Sequence, residues 1–259
     1  LTLRVIFVRG PMGTSEETSN SIARGSLEPM GQLRGASNGS LLCRDDLGDL
    51  FVYKPVSGES PLWDFTRDTL CRREVAAANL DGLLGWDLVP PTRWTDEGPM
   101  GPGMVQQWVE EVDELRPVNI FDTHEVPTGW LSILQAIDQD GSEVILAHEP
   151  SEQLAQMALF DAVVNNADRK AGHVLVDKSG RVFGIDHGVC FHEEPKLRTV
   201  LWGWVDTPIP PKLLRDLTEL GTKLGSFDAQ IDPFLSKIES GKLRDRIAEL
   251  VHTEVFPRP

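Results

Sequence analysis

The run LTLRVIFVRG that opens the chain is apolar enough for a β-strand, and the polar stretch PMGTSEETSNSIARG after it, rich in Ser, Thr and Gly, reads as a loop. Two apolar runs follow at residues 40–44 and 49–55, separated by Asp45, Asp46, Leu47 and Gly48, which is turn chemistry for an antiparallel hairpin. Pairing Arg44 with Asp49 across that turn sets Gly39 opposite Lys54. Residues 70–84 carry Leu70, Val75, Ala78 and Leu83 among helix formers, with Glu74 inside and Gly85 placed to end the helix. VPPTRW, GPMGPG and MVQQWVE then alternate turn residues with a short strand, as a connection between two lobes does, and put a boundary near residue 110. The lobes so divided are residues 1–110 and 111–259.

In the second half, Ser151 can cap a helix whose Leu154, Met157, Ala158 and Val164 fall close to one face, and that helix should stop near Asn165. HVLVD and RVFGID are two short strands around Lys178, Ser179 and Gly180. From Pro210 onward the pattern is largely helical, with leucines from Leu213 to Leu224 and a second run from Phe234 to Leu250.

A chain of 259 residues with 40% hydrophobic and 25% charged residues can bury a sizeable core. Its net charge of −15 repels polyanions and argues against nucleic acid or an anionic membrane surface as a general partner. No apolar stretch approaches the roughly 20 residues that a membrane helix needs, so no integral membrane association is expected. The opening run also lacks the pattern of a signal peptide. Cys43, Cys71 and Cys190 show no paired spacing, which points away from disulfides and structural zinc and toward a reducing, cytoplasmic setting.

The chemistry concentrates in NNADRKAGHVLVDKSGRVFGIDHG, residues 165–188. If Asp177 pairs with Arg181, His173 lies opposite Ile185, and Asp186 emerges beside His173 and the loop that holds Asp168. Phosphoryl transfer needs a base for the acceptor hydroxyl, a divalent metal and a cation on the phosphates, and Asp168, Asp186 and Lys54 are of the right types. The GASNG run, with Ser37, Asn38, Gly39 and Ser40 near the end of the first hairpin, can bring backbone N–H groups and hydroxyls against phosphates. Glu74 can hold Lys54 by an ion pair. Each residue also has a plainer reading. Lys54 can be a solvated strand end, Glu74 a surface partner of Arg72 or Arg73, and Asp168 a turn residue paired with Arg169 or Lys170.

The ordered motifs GASNG, YKP, REVAAANL, NADRKAGH and GIDHG resemble the phosphatidylinositol 3- and 4-kinase-like group, including a bacterial branch that carries that label. HipA-type serine kinases are a neighbouring resemblance. The likeness spans roughly residues 27–204. It implies an α+β, two-lobed kinase-like fold with a β-rich N-terminal lobe and a mainly helical C-terminal lobe. It implies ATP as donor with Mg or Mn, Lys54 on the phosphates, Asp168 as the catalytic aspartate and Asp186 as a metal ligand. Asn166 would steady the loop, and Gln106 and Trp108 would line the adenine pocket. Where the family has a metal-binding asparagine, this chain has His173, and where the metal-binding triplet has a central phenylalanine it has His187. An imidazole at His173 would shift preference toward Mn²⁺. The acceptor is a hydroxyl on a soluble polyol, an inositol-type metabolite or a protein serine. A nucleotide-binding pseudokinase and nucleotidyl transfer on the same fold remain open as rivals.

Trp202 and Trp204, at two-residue spacing, would share one face and pack in the core, or else form a substrate platform with Lys196 and Arg198 holding an anion. His124, His148 and His192 are read as satisfied core histidines.

Overall fold

A computed structural model describes residues 25–33, 38–222 and 229–259. The opening run, Ser37 and the end of the first C-terminal leucine pattern therefore lie outside the described residues.

An antiparallel five-stranded sheet, in the order β1-β2-β3-β5-β4, is built from β1 (Glu28–Gln32), β2 (Leu41–Arg44), β3 (Leu50–Pro55), β4 (Thr92–Gly98) and β5 (Gly101–Gln107). The β2–β3 turn differs from expectation by one residue. Asp45 N–H donates to Asp49 O at 3.0 Å, and Gly48 takes φ 92°, so three residues rather than four close the loop and Asp45 pairs with Asp49. The Asp45 carboxylate stabilises that turn by accepting from the N–H groups of Leu47 and Asp49, each at 3.0 Å. Arg44 consequently faces Leu50, and Leu41 faces Tyr53, which brings Ser40 rather than Gly39 level with Lys54. Along β3, Phe51 and Tyr53 join Cys43 and Val105 in a small cluster on one face. Lys54 points to the other. Gly103 of β5 passes so near that a Cβ there would stand 2.3 Å from the Lys54 carbonyl oxygen.

The helix α1 (Leu70–Leu84) covers the Lys54 face, and Gly85 ends it in the left-handed conformation at φ 68°. Cys71 and Val75 pack on Met104 of the sheet, while Ala76, Ala77 and Leu80 belong to the main core with the later helices. Polar bonds fix the second contact. Arg73 pairs with Glu239 and donates to Cys190 O at 2.5 Å, and Asn79 donates to Gln230 O at 2.8 Å.

Residues 112–150, for which the sequence pattern yielded no element, contain a second antiparallel sheet in the order β6-β8-β7. Its strands are β6 (Val118–Asp122), β7 (Leu131–Ile137) and β8 (Glu143–His148). The helix α2 (Glu152–Val164) follows, with Ser151 Oγ accepting from Leu154 N–H and Asn165 closing the helix at φ 53°. It is buried on nearly every side, as a central helix must be. The hairpin β9 (Val174–Val176) and β10 (Val182–Gly184) has the expected register, Asp177 N–H donating to Arg181 O at 3.1 Å and Ile185 N–H to His173 O at 3.0 Å. α3 (Pro211–Thr222) and α4 (Lys237–Thr253) complete the core, α4 opening on a capping box between Ser236 and Glu239. After β5 the chain runs into the second sheet, and Val112 N–H donates to Val176 O at 2.8 Å. The three cysteines are free and buried, and among the described residues no helix is long and apolar enough to cross a membrane.

Candidate active site

β3, α1 and the loop after β10 converge on one ammonium group. Lys54 Nζ lies 2.5 Å from Glu74 Oε1 and 2.8 Å from Asp186 Oδ1. Burial alone would draw the Lys54 ammonium down, but the two carboxylates outweigh it and hold its pKa above the ordinary value. The same ammonium holds Asp186 well below the usual carboxylate range, against the opposing effect of burial. Glu74 is buried outright, which pushes its carboxyl up while Lys54 pulls the other way. Asp186 keeps 40% of its side chain exposed, so this edge of the cluster is the one open to a ligand.

Glu74 is held in register from the start of its helix. Glu59, in the loop after β3, accepts from Cys71 N–H at 2.7 Å and Leu70 N–H at 3.1 Å, satisfying two orphan donors of the first turn where Thr69 makes no side-chain cap.

Beneath the cluster lies a buried hub. Asp161 of α2 accepts from Arg169 Nη2 at 2.8 Å, Asn166 Nδ2 at 2.9 Å and Thr199 Oγ1 at 2.9 Å. Arg169 also donates to the carbonyls of His173 at 3.2 Å and Ile185 at 2.8 Å, so one guanidinium ties the loop that carries Asp168 to both strand ends. Asn166 Oδ1 accepts from Asp168 N–H at 3.0 Å and thereby orients the loop tip. The Asp168 side chain, 47% exposed, meets only Lys170 Nζ among the described residues, at 2.8 Å. Of its two basic neighbours, Lys170 is thus the turn partner, while Arg169 points inward.

His173 ends a short 3-10 turn, Ala171–His173, with Nε2 3.3 Å from Asp186 Oδ2. Burial lowers its pKa against the pull of Asp186, leaving a neutral imidazole with a lone pair to offer at neutral pH. Among the described residues no group of three or more His, Cys, Asp or Glu stands ready as a metal cage. One carboxylate oxygen and one softer imidazole nitrogen on the open edge would supply part of a divalent ion's coordination and leave its other positions to oxygen ligands, with Mn favoured by the imidazole. The donor set therefore fits Mg or Mn.

The other expected site residues are more scattered. Asn38 Oδ1 accepts from Ser60 N–H at 3.1 Å, Gly39 takes φ 61°, and Ser40 is buried with its hydroxyl turned inward. Gln106 is buried and its side chain donates to Thr92 Oγ1 at 2.9 Å, while half-buried Trp108 donates its backbone N–H to Leu50 O at 3.0 Å. Trp204 stacks on His148 with ring centroids 4.7 Å apart, a core contact, and Lys196 is taken by Asp64 at 2.8 Å. His148 is a satisfied core histidine, accepting from Gly203 N–H at 3.2 Å, and half-buried His192 meets Asp64 O at 2.8 Å. His124 is exposed, contrary to expectation, in the turn after β6.

Sequence reasoning missed Asp161, Arg169 and Glu59. A signal existed for the first, because an aspartate within ALFDAVV is an acid placed among buried apolar positions and demands a partner.

The family model for phosphatidylinositol 3- and 4-kinase matches residues 148–229, which include this loop and hairpin. Over 251 residues the chain is 43% identical to Protein Rv2133c of Mycobacterium tuberculosis (strain ATCC 25618 / H37Rv), covering 92% of this chain and 90% of that protein. Among solved structures, the Helicobacter pylori proinflammatory kinase CtkA superposes with a TM-score of 0.52 at 14% identity, over 90% of this chain and 94% of its own. The Golgi casein kinase with Mn/ADP bound gives 0.53 at 13% identity, over 89% and 73%. The fold is thus α+β, two-lobed and kinase-like, and the family match supports a phosphotransferase.

Proposed function

We propose that this chain, which belongs to the same kinase-like bacterial family as the mycobacterial protein, moves the γ-phosphoryl group of ATP to a hydroxyl acceptor. The observation that carries this reading is Lys54 Nζ held between Glu74 and Asp186, a cation fixed where a triphosphate and its metal would meet. The lobes are residues 1–110 and 111–259, with the nucleotide between them. Lys54 neutralises phosphate charge, and Glu74 keeps it extended from β3 toward the cleft. Asp186 and His173 would hold the divalent ion, which when bound offsets charge on the triphosphate. Asn38 and Gly39 would lie over the phosphates, and Gln106 and Trp108 would border the adenine.

Asp168 orients the acceptor. Its ion pair with Lys170 is exposed, Lys170 being 63% accessible, and such a pair is weak enough for an entering hydroxyl to replace. The acceptor oxygen then bonds to the γ-phosphorus as the bond to the β–γ bridging oxygen breaks. ADP leaves with that electron pair, and the hydroxyl proton passes to Asp168. A soluble polyol, an inositol-type metabolite or a protein serine would serve as acceptor.

Mass spectrometry of cell extract incubated with the protein, ATP and Mn²⁺ or Mg²⁺ tests the reading. A phosphate added by wild type and not by Lys54→Met is expected. A nucleotide adduct would replace it with nucleotidyl transfer, and ATP binding without any product would leave a pseudokinase.

A further inference from the structure

His187, directly after Asp186, is wholly buried and bonded through both its ring and its backbone. Its Nε2 lies 2.7 Å from Arg169 Nη2. A guanidinium has donors only, so Nε2 accepts with its lone pair and the ring proton must sit on Nδ1, a buried atom with no partner among the described residues. The main-chain N–H of His187 donates to Glu74 Oε2 at 2.9 Å, on the carboxylate whose other oxygen holds Lys54. On the other side of Asp186, the Ile185 carbonyl accepts from Arg169 Nη1 at 2.8 Å. Asp186 therefore sits between two pinned neighbours at φ 62°, a left-handed conformation that a residue with a side chain holds only where its surroundings enforce it.

We propose that His187 is a positioning residue: by accepting from Arg169 and donating to Glu74 it clamps Asp186 in the left-handed conformation that sets its carboxylate against Lys54. The consequence for turnover rests on the phosphotransferase reading above, whereas the clamp is a property of the folded chain. A phenylalanine would fill the same space and could keep the edge contact with Phe160, whose ring centroid lies 5.6 Å away. It would keep the backbone N–H as well. What it cannot supply is the acceptor, and one buried Arg169 N–H would then be stranded, loosening the guanidinium that also holds the His173 and Ile185 carbonyls. The imidazole in place of the family's phenylalanine is, on this geometry, a change in how the loop is held.

The discriminating pair of variants is His187→Phe, which removes the acceptor, and His187→Gln, whose amide oxygen can reach the place of Nε2. Long-range proton–nitrogen NMR of the wild type should find the His187 proton on Nδ1 and a bare Nε2. Hydrogen exchange should show His187→Phe losing roughly tenfold in protection at amide 187 relative to the α2 amides, with His187→Gln within roughly threefold of wild type. Titration with a non-hydrolysable ATP analogue should show that the phenylalanine variant needs roughly tenfold more Mn²⁺ for half-saturation, and in turnover kcat should fall while KM for ATP changes little. A proton on Nε2, protection lost equally in α2, or a glutamine variant as impaired as the phenylalanine one would overturn the clamp. Wild type that binds the analogue but transfers nothing would sink the phosphotransfer reading alone, because tautomer and exchange still decide the clamp.

Discussion

Two ion pairs whose cations are adjacent in sequence differ in almost everything else. Arg169 with Asp161 is inaccessible on both sides, whereas Lys170 with Asp168 leaves 63% and 47% of the two side chains exposed. The first pair has lost its hydration and compensates with a full set of hydrogen bonds, so neither partner can be removed alone. In the second, water competes for both charges throughout. The loop around Asp168 thus has a rigid root and a labile tip, the division that a loop receiving an acceptor under the proposed function would need.

The sharpest way to break the contrast is at the root. Arg169→Met leaves Asp161 buried beside apolar side chains and should destabilise the fold by about 3–5 kcal/mol, read from the urea midpoint at constant slope. A loss below about 1 kcal/mol, the range of exposed pairs, would show that the buried pair is no stronger than its neighbour.

At the tip, Asp168→Asn should leave the urea midpoint nearly unchanged while cutting phosphoryl transfer by at least ~10²-fold, the lower end of what a positioned base contributes. Binding of a non-hydrolysable ATP analogue, followed by calorimetry, should survive the change. Turnover equal to wild type would remove Asp168 from the chemistry.

Asp81 of α1 supplies an intermediate case, a buried carboxylate without a contacting cation among the described residues. Its Oδ2 accepts from Val89 N–H at 2.9 Å while Oδ1 has no hydrogen-bond partner among the described residues, and burial pushes its pKa up to about 6. Because the folded state binds the proton more readily than the unfolded chain, stability should fall as pH rises from the ordinary carboxylate range through about 6, by on the order of 3 kcal/mol. Asp81→Asn should flatten that slope in urea melts between those values.

The smallest effect belongs to Lys170→Ala, which should change stability by less than about 1 kcal/mol, with high salt erasing what difference there is. A larger loss would mean that the tip, too, is structurally anchored.

Much of this architecture could be read from residue patterns because it is local. Gly85 ends α1 and Ser151 caps α2, as their chemistry requires, and the β9–β10 register follows from its turn. The β2–β3 turn slipped by one because Asp49 reads as strand or turn equally well until its N–H is seen on the Asp45 carboxylate. The second sheet went unread since its strands mix apolar and polar positions without clean alternation, leaving Ile120, Leu134 and Ile137 exposed. At the site, Lys54, Glu74 and Asp186 were legible as an ordered set of charges. Arg169 was not, because nothing in DRK tells which of two adjacent cations turns inward; that is decided by Asp161, on a different element.

The helix α1 gives one side to the sheet and the other to the helical core, and it is stitched to the latter through Arg73 and Asn79. A sheet that melted on its own would strip apolar cover from the helices, so neither part has an independent free-energy minimum to occupy. The described body should therefore behave as one cooperative unit in heating, with the calorimetric enthalpy equal to the van't Hoff value despite its two-lobed outline.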